Sequence, residues 1–323
     1  MSEFLMIFFV YAFLGWCMEV SYAALTSGKF VNRGFLNGPV CPIYGFGAVI
    51  CLACLEPLKD SLILLFIGSV VLTSLLELVT GYLLEKLFHQ RWWDYSDMPF
   101  NLGGYICPLF SVLWGLACLF VVKLIHPTIL FLIRLIPDRV LPILLVLFSA
   151  VMLVDVAATI NAITGINRRL RQIDELAGKI RTVSDEFGEN LADRVLGAAE
   201  RGSELKDELA DWHAEAAQRR EAHRADSEAE RESWKEELDE LKDELSQKAT
   251  AAAEEHTRYM AEKRAELERF HASMVELLDV KGFGQRRLLR AFPKMRSNDH
   301  GTALEHLRRH LNRSGSDHSG KAS

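Results

Sequence analysis

Five apolar stretches, each near the roughly 20 residues that a bilayer-spanning helix needs, fill the first half of the chain and restrict what it can fold into. They lie near residues 4–26, 40–58, 62–87, 105–125 and 139–163. Hydrocarbon offers no hydrogen-bond partners, so each stretch must satisfy its backbone internally as a helix. The second half is of another kind. Residues 1–165 hold 8 Lys/Arg and 10 Asp/Glu, whereas residues 166–323 hold 29 and 33. The expected fold is all-α: a polytopic helical membrane protein of about five spans with a long charged helical cytoplasmic tail. The formal charge of −6 averages over two unlike halves and so identifies no partner.

The first basic residue, Lys29, follows the first apolar run, so that run reads as a retained span rather than a secretory leader. All six cysteines fall in the membrane half, which argues against a secreted-type disulfide framework. Cys51 and Cys54 mimic a redox or metal pair, but with no histidine or second pair nearby they read as small apolar residues. The piece Thr128–Ile136, bounded by Pro127 and Pro137, is too short to span and reads as an interfacial or re-entrant turn.

Basic residues near the span ends set orientation. With the N-terminus outside, the inner side receives Lys29, Arg33, Lys86, Arg91, Arg168, Arg169, Arg171, Lys179 and Arg181; the outer side receives Lys59, Lys123, Arg134 and Arg139. The expected location is the cell membrane, multi-pass, with the tail and the loops after the first and third spans cytoplasmic.

Three regions follow: a transmembrane domain over 1–165, a charged helical and partly coiled-coil region over 166–278, and a basic amphipathic or disordered tail over 279–323. In the second region, apolar residues recur at helical spacing at Leu205, Leu209, Trp212 and Ala216, and again at Trp234, Leu238, Leu241 and Leu245. Residues 217–233 offer almost nothing apolar, which favours short seams over a continuous coiled coil. The last region carries 10 basic and 4 acidic residues, with Leu288, Leu289, Phe292, Leu304, Leu307 and Leu311 spaced for short amphipathic helices. Such helices lie on anionic lipid or remain a solvated tail.

Between the first two spans, Asn32–Gly47 contains Gly34, Gly38, Pro39, Pro42, Gly45 and Gly47, so its backbone must take special turns. Sliding the chain by 66 residues aligns Gly15 with Gly81, Glu19 with Glu85, Leu36 with Leu102, Gly38 with Gly104, Cys41 with Cys107 and Pro42 with Pro108. This predicts two helix pairs crossing in the same sense, a parallel repeat; the alternative is coincidence between two apolar segments.

Ionisable residues inside spans cost roughly 2.5–3.5 kcal/mol near the bilayer centre and are functional candidates for that reason. Glu19, Glu77, Glu85 and Asp155 qualify, as candidates for a solute or ion pathway. Glu77 is the deepest and suits proton or cation handling; Glu85, two turns on, shares its face. For Glu19 and Glu85 a second reading is pairing with Arg33 and Arg91 at the interface. The two Gly-x-x-Cys-Pro turns, holding Gly38 and Cys41 and then Gly104 and Cys107, open helices whose N-terminal amides favour anions. Asn32, Arg33, Asp94, Asp97 and Asn101 surround them; the other reading is that these loops only reverse the chain and cap helices. No metal ligand set, catalytic group or cofactor motif is found, so no enzyme activity and no nucleic-acid partner are expected.

Phe13-x-Gly15-Trp16-x-x-Glu19, the Asn32–Gly47 stretch, Leu84–Phe88, and Arg91–Asp97 followed by Phe100-Asn101 resemble the bacterial membrane family of type IV ABC-transporter permeases, over about residues 4–125. The resemblance implies a polytopic permease-like subunit, embedded in the lipid bilayer and working with a separate ATPase subunit. No Gly-x-x-x-x-Gly-Lys-(Ser/Thr) phosphate loop occurs in the chain, so ATP hydrolysis would come from that partner. The charged tail lies outside the resemblance. It points to a second function, a membrane-anchored scaffold or sensor that self-associates or recruits partners.

Overall fold

The computed structural model describes residues 2–222 and 228–319, with side chains except for 314–319 and most of 198–249. Helix α1 is Ser2–Ser27, α2 Pro42–Leu55, α3 Leu62–Phe88, α4 Pro108–Phe120, α5 His126–Arg134, α6 Val140–Ala222, α7 Glu228–Leu278, α8 Phe283–Ala291 and α9 Gly301–Ser319; β1 is Gln90–Arg91 and β2 is Arg296–Ser297. Helices dominate, as the unbroken apolar runs require.

Among the described residues, four helices are long and apolar enough to cross a membrane: α1, α3, Pro108–Arg134, and the segment that begins at Val140. Their outer faces are broadly apolar and uncovered, with Ile63 73%, Val71 63% and Val146 71% exposed. A surface of that kind needs lipid against it. Some of the hydroxyls on these helices turn to their own backbone. Thr73 Oγ1 donates to Ser69 O at 2.8 Å and Ser74 Oγ to Val70 O at 2.7 Å, which removes the cost of an unpaired donor in hydrocarbon.

Two of the expected spans look different. The stretch 40–58 forms only the 14-residue α2 and a 3-10 turn, Glu56–Leu58. Pro42 sets its start and Pro57 opens the tighter turn that ends it, leaving about 21 Å of α-helix. The piece Thr128–Ile136, expected as a separate turn, instead lies largely in α5 and continues the helix that starts at Pro108. A π turn at Val121–Ile125 joins α4 to α5. The wider turn lets Pro127 enter the helix without its ring striking a carbonyl one turn back.

Helix α1 packs along α2, and α3 along α4. Small residues allow the close approach. A Cβ at Gly15 would fall within the Tyr44 ring, one at Gly45 within 3.0 Å of Phe8, and one at Gly115 against Val70. The second helices of the two pairs begin 66 residues apart, at Pro42 and Pro108, each behind a cysteine N-cap in extended conformation. One core joins α1, α5 and α6 through Phe8, Phe9, Ile129, Ile133 and Leu145. A second joins Cys51, Leu55 and Leu65 with Cys118. Helix α3 stops at His89, whose left-handed backbone (φ 55°) aims its N–H at Glu85 O, 2.8 Å away.

The chain divides into two compact units, Met1–Asp174 with Leu277–Ser323, and Glu175–Glu276. Residues 279–319, within the stretch 279–323 expected as a basic amphipathic or disordered tail, thus cluster with the membrane segments. Their helices are amphipathic, and Leu288, Leu289, Met295, Leu304 and Leu307 are buried. Strand β2 pairs antiparallel with β1, Gln90 opposite Ser297 and Arg91 opposite Arg296. The other unit is two helical stretches running antiparallel. Asn190 donates to Tyr259 Oη at 2.9 Å, and Lys263 meets Glu186 at 2.8 Å. The side chains of Leu205, Leu209, Trp212, Ala216, Trp234, Leu238, Leu241 and Leu245, the expected seams, lie outside the described residues.

Candidate functional site

Between the two helix pairs runs a chain of buried polar and aromatic groups. Tyr44 on α2 donates to Glu19 Oε1 on α1 at 2.6 Å, and its ring meets Trp114 of α4 edge-on at 5.9 Å. Trp114 lies against Glu77 of α3. Tyr95, from the loop after α3, donates to Glu77 Oε1 at 3.1 Å and stacks on Phe110 at 4.7 Å. Phe110 holds the position that Tyr44 holds in the first pair. It lacks a hydroxyl, and Tyr95 supplies one instead. Glu77 Oε2 is buried and has no hydrogen-bond partner among the described residues. Burial, with the Glu77 charge beside it, pushes the Tyr95 phenol above its ordinary value, so that phenol stays protonated as a donor.

Glu19 and Glu85 also serve the loops. Glu19 is also 3.4 Å from Arg33, and Glu85 takes Arg91 Nε at 2.8 Å and Nη2 at 3.4 Å. Arg91 further donates to Gly103 O at 3.2 Å and lies over the Tyr105 ring at 4.7 Å. Glu77 and Glu85 therefore belong to separate networks despite their shared face.

Asp155 on α6 receives the first loop. Its Oδ1 accepts from Asn37 N at 3.0 Å and Asn37 Nδ2 at 2.9 Å, and its Oδ2 from Gly38 N at 2.6 Å. Asn37 Nδ2 also reaches Thr159 Oγ1 at 3.1 Å. Asn32 stitches the same loop: its Oδ1 accepts from Trp16 Nε1 at 2.8 Å and Gly34 N at 3.1 Å, and its Nδ2 donates to Asn37 O at 2.7 Å. The Asn37 and Gly38 amides of the first loop thus meet the chain's own carboxylate. Cys41 N donates to Ala12 O at 2.9 Å. The cysteine side chains at the two caps make no capping bond.

The second loop is organised by Asp94. Its Oδ1 accepts from Ser96 N at 3.0 Å and Ser96 Oγ at 2.5 Å, and its Oδ2 lies 2.7 Å from Arg296 Nη1. Burial alone would raise the Asp94 carboxyl, but the Ser96 donors and the Arg296 and Arg91 charges bring it below the ordinary carboxylate value. Asn101 accepts from Gly104 N at 2.9 Å and donates to Met98 O at 2.8 Å. Asp97 is exposed.

Sequence reasoning missed Tyr44, Tyr95 and Trp114, because rings and hydroxyls in apolar runs look like ordinary core or interface residues. It also missed Arg287 of α8, which reaches the first loop and is only 9% exposed. A signal for it existed. Arg287 sits one turn before Ala291, on the face that Leu288 and Leu289 bury.

Four spanning-length helices, two tight helix pairs and a buried carboxylate network between them define a polytopic all-α membrane protein. Residues 6–160, a little under half of the chain, match the family described as "Putative ABC-transporter type IV". The match runs from α1 into α6 and takes in Glu19, Glu77, Glu85 and Asp155. It extends past the segment 4–125 on which the resemblance rested. No curated protein and no solved structure matches the chain.

Proposed function

We propose that the chain is a permease-like membrane subunit, not itself an enzyme, in which the α1–α2 and α3–α4 pairs enclose the path of a small solute and Glu77 handles a proton or cation on that path. The observation that carries this reading is the Glu77 carboxylate, with one oxygen hydrogen-bonded by Tyr95 and the other buried and unpartnered. A buried carboxylate with spare acceptor capacity is costly in a bilayer and is retained where an ion or proton must be met. The energy source is a separate ATPase subunit, with the loops and the charged tail on its cytoplasmic side. In cells or vesicles screened with an isotope-labelled metabolite panel, Glu77→Gln lowers flux at least about tenfold, a loss of roughly 1.4 kcal/mol in the limiting step. Glu77→Asp retains part of it, and Tyr95→Phe weakens it less. Unchanged flux in a Glu77→Gln protein that inserts normally would overturn the reading.

A second reading rests on the Glu175–Glu276 unit, whose charged antiparallel helices lie outside the family match. In it, the chain is a membrane-anchored scaffold or sensor. It expects the full chain in nanodiscs to self-associate through that unit, and a number of chains per particle unaffected by deleting residues 175–276 counts against it.

A further inference from the structure

We propose that the loop Asn32–Asn37 is a guanidinium-binding site whose resident ligand is the chain's own Arg287, and that this contact latches the segment after α7 onto the loops of both helix pairs. Arg287 Nη1 donates to Gly34 O at 2.5 Å and reaches Asn32 O at 3.4 Å, Nη2 donates to Phe35 O at 2.9 Å, and Nε donates to Asn37 Oδ1 at 3.1 Å. Three backbone carbonyls and one amide oxygen thus converge on a single planar fork. An ammonium is a point donor and cannot meet that spread of acceptors at once. Asp155, on the far side of Asn37, adds a negative charge behind the cradle.

The cradle is built without Arg287. Trp16, Asn32, Gly34, Asn37, Asp155 and Thr159 hold the loop through bonds of their own, so the acceptors keep their positions when the guanidinium leaves. Its parts also come from different regions. The acceptors lie within residues 6–160, the family match, and the ligand lies beyond it.

From Arg287 the same segment continues to the second loop. Phe292 meets Trp92 edge-on at 4.8 Å, β2 pairs with β1, Arg296 meets Asp94, and Asn298 Nδ2 donates to Glu85 Oε1 at 2.9 Å. Trp92 in turn meets Phe35 of the first loop at 5.1 Å. One short segment therefore ties together two loops that follow α1 and α3. This inference does not depend on whether a solute crosses the protein.

Hydrogen exchange on the full chain in nanodiscs tests it. Arg287→Ala should speed exchange in residues 283–291 by roughly ten- to a hundredfold, the range expected for charged hydrogen bonds. Arg287→Lys should behave nearly like Arg287→Ala, whereas Arg290→Ala, on the exposed side of α8, should behave like the unaltered chain. Millimolar guanidinium, but not methylammonium, should bind the vacated cradle in the Arg287→Ala protein, read as saturable chemical-shift changes confined to residues 32–38. Unchanged exchange in Arg287→Ala, full function of lysine, or no selective effect of guanidinium would each overturn the proposal. If Arg287→Ala fails to insert, sub-denaturing guanidinium added to the unaltered chain should deprotect α8 more than methylammonium does. Equal effects would then overturn it.

Discussion

Single residues in this protein are set by what their backbone must reach. Gly104 has φ +74°, and a Cβ there would come 2.6 Å from Asp94 Oδ1 and from Ser96 Oγ. Gly104→Ala therefore combines a left-handed backbone with a collision, and should cost about 1–3 kcal/mol, read as a lower unfolding midpoint in lipid. Gly38, its counterpart at the 66-residue offset, is needed for another reason: its amide must come within 2.6 Å of the Asp155 carboxylate. The sequence marked both glycines by their shared offset but could not separate these causes, because a positive φ and a close approach leave the same letter. Glu19 and Glu85 were legible as partners of Arg33 and Arg91, since a carboxylate near a span end has few other cations in reach. Arg287 was not. Its acceptors are mainly backbone carbonyls, more than 250 residues earlier, and carbonyls carry no sequence signature.

Among the elements, the short ones depend most on their surroundings. Strands of two residues, β1 and β2, have too few ladder bonds to persist alone. Asp94 with Arg296, and Phe292 with Trp92, hold them in place. Because the Asp94 carboxyl titrates below its unfolded value, its contribution is fully present above about pH 4 and is lost as pH falls through the lower folded value. Exchange protection of β2 should thus be flat from neutral pH to about pH 5 and should drop below about pH 4, and Asp94→Asn should lower it throughout and remove the acid step. The spans themselves were legible from apolar length. Their ends were less so. Length alone did not reveal that Pro57 cuts the second one short or that a π turn carries the fourth past Pro127, since both depend on how the backbone absorbs a missing N–H.

Across the whole molecule, the division into an apolar half and a charged half was plain from composition, whereas the return of the last segment to the first was not. Amphipathic spacing in α8 and α9 predicts a buried face without saying what buries it; lipid and protein satisfy the same pattern. Here protein does, through contacts that link Arg287 to Gly34 across 253 residues. That separation sets a timetable. At 5–20 residues per second, the loop after α1 is made roughly 10–50 s before its ligand exists. Asn32 must hold the loop at first, joined by Asp155 once the chain has grown 118 residues past Asn37, so the order of synthesis itself calls for a cradle that is complete before it is filled.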